Sequence, residues 1–359
     1  MMTYMNKIIY ILTMSVLLFA GCSKPVAVPE APEQFDRYIF FSQLVETKAS
    51  LVESLSEQSF GVVGFKYDKS TMWDNVKASA TPDVFFDYDK DNNLIPAVPE
   101  TCGVGVDGTN ATYSPLQGWS KLKRYSFFAY YPMDKATLVN LDGSAYTAGV
   151  PAIKYTMGWA TLQGDMVDVM IATPRTDLDG SSSDVTNNDV TFSFNHCLSS
   201  IGVNIQNASA GTIEITGVSL SLSNIQHSTV IIPLDGTAET YSGSLSEKSC
   251  SLSLANADKT IASGTTAHEL SDKLILIPQT ENLSVGLTIN YKRIYGSGDD
   301  KTEIVGTFAT PTTAPLTTTL TKGKKHLIHV KFNDSTVEVA GQVSTEGWVK
   351  IPDVESSFN

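Results

Sequence analysis

Period-two alternation is the feature that most narrows what this chain can become. In Val190-Thr191-Phe192-Ser193-Phe194 the valine and both phenylalanines fall on one side of an extended backbone. Ile213-Glu214-Ile215, Val218-Ser219-Leu220-Ser221-Leu222 and Val285-Gly286-Leu287-Thr288-Ile289-Asn290-Tyr291 repeat the pattern. Successive side chains of a strand point to opposite faces, so these runs predict strands with one buried face. Apolar and β-branched runs at Tyr38–Phe41, Phe60–Phe65, Tyr125–Tyr131 and Met166–Ile171 add further strands. Helical signals are sparse. Ser42–Ser59 reads equally well as a helical turn or as strand plus loop, and no long amphipathic helices alternate with the strands, which argues against a parallel α/β fold. Short strands separated by Gly and Asp turns predict an all-β chain built of sandwiches.

Length sets the number of such units. The first residues carry Lys7, an apolar run from Ile8 to Phe19, and then Ala20-Gly21-Cys22. A basic start, a short apolar core and small residues before a cut site form a secretory signal, here residues 1–21. The apolar run is shorter than the roughly 18–20 residues of a spanning helix. A cysteine directly after Ala-Gly resembles a lipobox, with Phe19 three places earlier where leucine is usual, so Cys22 is the expected lipidation site. A multiply acylated cysteine anchors stably where one chain binds marginally. Residues 22–35, with three prolines after Cys22, form an extended tether. The polar stretch Asp177–Asp189, DLDGSSSDVTNND, is the best internal boundary. It predicts an N-terminal sandwich at 36–185 and a C-terminal one at 186–359. A final strand pair is expected at Lys325–Phe332 and Val337–Val343, after the Thr/Pro-rich loop Thr310–Thr321.

Composition excludes one class of partner. The net charge is −13, and basic runs are missing, so nucleic acid, which demands clustered Lys and Arg, is a poor candidate. Chemistry is equally scarce. There is no Gly-x-Ser-x-Gly elbow, no phosphate loop opening a helix and no His-Glu-x-x-His. No catalytic residue, cofactor or metal site is therefore expected. His326 and His329, three apart on a strand, face opposite ways, as do the neighbours His196 and Cys197. Asp87–Asn93 opens like a calcium loop but lacks the glycine at its sixth position and the glutamate at its twelfth. Asp177-Leu178-Asp179-Gly180 is a shorter imitation, and both read best as solvated turns. Cys102, Cys197 and Cys250 are an odd set at wide spacing, which indicates neither a disulfide framework nor zinc. Trp73, Trp119 and Trp159 read as core residues rather than a sugar platform.

Several segments in order resemble the fimbrillin family of Bacteroidetes, with its minor-fimbrillin-like proteins. They are Ile39-Phe40-Phe41 leading to Glu46-Thr47-Lys48-Ala49, then Ser59–Phe65, then Trp119 with Tyr125–Pro132. Asp165–Ala172, Val190–Val203 and Gly323–Phe332 with Trp348 complete the set. The resemblance implies two tandem transthyretin-like Greek-key β-sandwiches, exported to the cell outer membrane as a lipoprotein and built, without enzymatic activity, into a fimbrium. It implies that a protease removes the leader with the first strand, about Arg37–Val45, cutting after Lys48 or Arg37. Lys48 stands where the family commonly has arginine. A strand from about residues 325–359 of a neighbouring subunit would fill the groove. Partners so implied are other fimbrial subunits and outer-membrane lipid through Cys22. Two alternatives stand beside the stalk subunit. One is a tip or accessory adhesin binding host glycan or protein through its loops, and the other is a surface carbohydrate-handling lipoprotein.

Overall fold

The computed structural model describes residues 38–45, 59–80, 102–107, 110–113, 117–158, 167–181, 189–340 and 343–347. These residues form strands almost throughout. The first strands are β1 (Phe40–Val45), β2 (Phe60–Asp68), β3 (Cys102–Asp107), β4 (Asn110–Thr112), β5 (Lys123–Tyr131) and β6 (Thr137–Val139). There follow β7 (Ala152–Thr156), β8 (Met170–Ala172), β9 (Arg175–Asp179), β10 (Asp189–His196), β11 (Ser199–Asn207) and β12 (Thr212–Ser223). Next come β13 (Thr229–Pro233), β14 (Thr240–Ser242), β15 (Lys248–Leu252), β16 (Thr260–Ile261), β17 (His268–Glu269) and β18 (Leu274–Leu276). The last are β19 (Gln279–Tyr295), β20 (Thr302–Ala309), β21 (Leu316–Leu320), β22 (Lys324–Phe332), β23 (Val337–Val339) and β24 (Ser344–Gly347). One short α-helix, α1 (Trp73–Val76), follows β2.

The N-terminal strands close on themselves. The sheet runs β2-β3-β4-β1-β10-β8-β5-β9, and a further pairing joins β2 to β5. Seven strands thus make a hydrogen-bonded ring, with β9 attached outside it on β5. Each of the seven is paired on both sides over part of its length, so the ring leaves only segments of edge open. The alternation of β2 and β5 shows what each face does. Phe60, Val62, Tyr125, Phe127 and Ala129 enter one apolar cluster with Trp119, Val190, Phe192 and Phe194. Val63, Phe65, Phe128 and Tyr130 enter a second. Both faces are buried, which is why these segments read as nearly continuous apolar runs rather than alternating ones.

The second cluster continues through the C-terminal strands. A sheet of order β17-β11-β22-β23, with β18 on β11 and β24 on β22, faces one of order β15-β12-β19-β20, with β16 on β12 and β21 on β19. Val203, Ile205, Ile328 and Val330 of the first meet Ile213, Leu220, Leu287 and Ile289 of the second in that cluster. Tyr291 meets Phe332 edge-on at 4.9 Å between ring centres. This is a sandwich in which inner faces interdigitate. A four-stranded sheet, β14-β13-β7-β6, packs Ile153, Tyr155, Val230 and Ile232 into the same cluster.

Two sets of pairings cross residue 185. β10 joins β1 and β8 in the N-terminal ring, and β7 pairs with β13. Phe35–Asn359 accordingly forms one compact unit. In β12 the apolar residues change phase, from Ile213 and Ile215 to Val218, Leu220 and Leu222. A register shift against β19 between Ile215 and Gly217 supplies the extra residue that makes this possible.

Candidate functional site: the first strand and its groove

β1 is short and lies inside the ring. It pairs in parallel with β10, from Phe40↔Asp189 to Val45↔Phe194, and antiparallel with β4 at Phe41↔Ala111 and Ser42↔Asn110. Alternation sets its faces. Ile39 and Phe41 are buried while Tyr38 and Phe40 are exposed. The Phe41 ring stacks on Phe192 at 5.6 Å and meets Tyr113 at 5.3 Å and Phe127 edge-on at 5.4 Å. The Ile39 N–H donates to the Gln117 carbonyl (2.8 Å), and the Tyr113 hydroxyl donates to the Ile39 carbonyl (2.7 Å). Ser42 and Thr191 share a hydroxyl–hydroxyl bond of 2.8 Å.

Removing this strand would open two edges at once. The backbone groups of β4 and β10 that face it would lose their partners, and the apolar wall around Phe192, Phe127 and Tyr113 would meet water. Exposed edges and apolar pockets together are what strand addition exploits. β1 is therefore an enclosed strand whose loss would expose backbone and apolar surface together.

Past the end of β1, along β10, lies a buried Asp–His contact. Asp168 Oδ2 lies 2.8 Å from His196 Nδ1 at the close of β10, with the aspartate side chain fully buried. Burial pushes the Asp168 carboxyl upward against the pull of His196. Burial likewise raises Tyr131 and takes Tyr155 to about 12, with the Asp168 charge adding to both.

The C-terminal strand β24 is held by two histidines of β22 that face opposite ways. His329 Nε2 bonds Ser344 Oγ at 2.6 Å, and His326 Nδ1 lies 3.2 Å from Thr345 Oγ1. Lys325 and Lys273, both buried, converge on Glu269 at 2.6 and 2.7 Å. Burial alone would raise the Glu269 carboxyl, but the two ammonium groups bring it below its usual range.

The other residues singled out by sequence fall as follows. Cys22, Arg37 and Lys48 lie outside the described residues, as do Asp87–Asn93, Trp159 and Trp348. So does the side chain of Cys102, while Cys197 and Cys250 are buried free thiols. Asp177 does not face an ion. Its Oδ1 accepts from the Tyr67 hydroxyl (2.8 Å) and the Trp73 N–H (2.7 Å), so it fastens β9 to β2 and α1. Asp179 pairs with Lys69 at 2.9 Å and caps Ser181. Trp73 and Trp119 are buried and offer no platform. Among the described residues no His/Cys/Asp/Glu group is arranged to hold a metal. An open cleft of about 770 Å³ lies on the outer face of β12 at its register shift, lined by Glu214, Gly217, Ser219, Ser251, Lys259 and Asn290. The bulge that makes it was not legible in advance, although the phase change between Ile215 and Val218 was there to be seen.

Comparison with known proteins extends these observations. A family model described as fimbrillin-like matches residues 71–348. No curated protein matches the chain. A fimbrial protein from Bacteroides vulgatus is 19% identical, with a TM-score of 0.58 over 88% of this chain and 100% of that one. A candidate cell adhesion protein from Bacteroides uniformis is 15% identical, with a TM-score of 0.47 over 87% of this chain and 99% of the other. A second, from Bacteroides ovatus, is 14% identical, with a TM-score of 0.48 over 89% and 99%. The first of these shares the fold.

Proposed function

The chain belongs to the fimbrillin-like family, and we propose that it is a structural subunit of surface fimbriae that polymerises by exchange of its first strand. One observation carries this reading. β1 lies between β4 and β10 and closes an aromatic core, yet it is only six residues long and comes before every other described strand. An enclosed strand that precedes the rest of the fold can be lost by one cut behind it and replaced by a strand from outside.

In this reading residues 1–21 are removed on export, Cys22 is acylated, and residues 22–35 hold the folded body off the outer membrane. Only a cut after Lys48 frees β1, because Arg37 precedes the strand. β22 supplies Leu327, Ile328, Val330 and Phe332 to buried positions of its own sheet, so the donor is assigned to the later part of residues 325–359. Val349 and Ile351 there stand two apart, as Ile39 and Phe41 do. The head-to-tail contact does not close on itself and so propagates a filament. We further infer two transthyretin-like Greek-key sandwiches, expected at 36–185 and 186–359, and the membership of β10 in the ring favours placing their junction near Cys197.

Cleavage of the full chain after Lys48, verified by mass, tests the reading. Ladders of oligomers that survive mild detergent are expected, and Val349→Asp with Ile351→Asp should abolish them. Monomer alone after complete cleavage would overturn it.

A further inference from the structure

Far from β1 in the sequence, the outermost described strand of the second sandwich leaves one edge unpaired. β20 ends the sheet β15-β12-β19-β20 and pairs with β19 without interruption, from Tyr295↔Thr302 to Thr288↔Ala309. Its other edge carries no described strand. Thr302–Val305, Thr307 and Ala309 are exposed, with Ile304 at 48% and Val305 at 76%.

Proteins blunt such edges with lysine, proline, bulges or brevity. The other strands at sheet edges do so here. β9 carries Arg175 and two aspartates and shifts register against β5; β15 opens with Lys248; β6, β14 and β23 have three residues each. β20 has eight residues, no lysine, no proline and no register shift. Its one charge is neutralised locally. Glu303 pairs with Lys301, and Lys292 lies 3.9 Å from Glu303 and 3.2 Å from Glu214. On a chain of net charge −13, Lys292 and Lys301 stand beside Glu214 and Glu303 along this strand, with Asp299 and Asp300 in the turn before it.

We propose that β20 is an interface with a second copy of this chain, the two edges pairing antiparallel about a two-fold axis at Val305. The register follows from the faces. Ile289, opposite Phe308, is buried, so Ile304, Gly306 and Phe308 share the core side and Glu303, Val305 and Thr307 the outer side. With the axis at Val305, Ile304 meets the partner's Gly306 and Glu303 meets the partner's Thr307. The two core sides then stay on one side of a continuous sheet, and no like charges stand opposite each other. A slip of one residue would turn one copy over and set Glu303 against the partner's Phe308. Gly306 is where the Tyr291 ring crosses the strand, since a Cβ there would lie 2.6 Å from the ring. An incoming isoleucine therefore meets an aromatic surface in place of a side chain. The contact is isologous, each copy presenting the same residues. It is smaller than the roughly 1,200–2,000 Å² of a stable interface, so it is weak in dilute solution and strengthens where copies are held on one surface. It involves neither β1 nor any cut, so it stands or falls separately from the strand-exchange reading.

The test is Val305→Cys in the full chain, mildly oxidised on intact cells. On the axis each cysteine faces its own copy, so a covalent dimer is expected from most of the protein. Leu141→Cys, also exposed, and the unaltered chain should yield none. A maleimide-reactive but uncrosslinked V305C would overturn the proposal, as would its crosslinking to a different protein. In sedimentation of the purified chain, Val305→Lys should weaken self-association at least tenfold; unchanged association would count against the interface.

Discussion

His326 has no exposed surface, and its hydrogen bonds fix its protonation. The Thr321 N–H donates to Nε2 at 3.2 Å, which requires that nitrogen to be bare. The proton therefore sits on Nδ1, toward the hydroxyls of Thr318 (3.3 Å) and Thr345 (3.2 Å). Burial takes the ring from 6.5 down to about 4. Because the folded value lies below the unfolded one, acid favours the unfolded chain. The contribution is complete above about pH 6.5 and is lost as pH falls toward 4, amounting to about 3 kcal/mol, of which about 2 is gone by pH 5. Asp258 and Glu269 are held below their usual values by their partners in spite of burial, so their losses begin at lower pH. Urea midpoints at pH 7.5 and 5 should fall for the native chain. They should fall by clearly less for His326→Gln, which starts lower, and equal slopes in both would refute the assignment. Period two alone places His326 and His329 on opposite faces of their strand. It could not name their partners, which come from β11, β21, β24 and the turn after β21. Asp177 was obscure for the same reason, since Tyr67 and Trp73 approach it from more than a hundred residues away.

At the scale of the element, alternation was the legible part. Val190, Phe192 and Phe194 share a buried face as the sequence predicts, because one residue's face determines the next. The long strand β19 runs from Gln279 to Tyr295, beyond the alternating stretch at Val285–Tyr291, and its ends carry polar residues that hide it. α1 has four residues, too few for a helical period to show. Nor could the parallel pairings of β1 with β10 and β11 with β22 be read, since register between distant strands is written in neither strand alone. Within β1 the two faces make a direct contrast. Phe41→Ala should cost about 3–5 kcal/mol through lost burial and the cavity left beside Phe192, whereas Phe40→Ala should cost less than about 1. Trp119 lies 4.9 Å from the Tyr125 ring in the same cluster, so its fluorescence during urea unfolding reports both. Equal losses would mean that β1 is not seated as described.

The molecule as a whole has two apolar clusters that do not coincide with the two halves of the sequence. One fills the N-terminal ring; the other begins on the outer face of that ring and runs through the C-terminal sandwich. The all-β class was legible because strands such as β2, β5, β10 and β22 announce themselves locally. This sharing was not, because it depends on β7 meeting β13 and on β10 running parallel beside β1. A physical asymmetry follows. Phe41 of β1 and Ile39 just before it both enter the first cluster. Cutting the full chain after Lys48 and drawing off the released strand in mild denaturant should therefore loosen one cluster and spare the other. Amide exchange is the suitable probe, since it reads opening strand by strand. Protection should fall by at least a hundredfold in β4 and β10, which lose their neighbour. It should stay within a factor of about ten in β12, β19 and β22, whose partners remain. Adding a peptide of residues 36–48 at excess should restore β4 and β10, and the same peptide with Phe41→Asp should not. Uniform loss across all five strands would show that the clusters open as one, and a groove that could wait for a donor strand would then not exist in this chain.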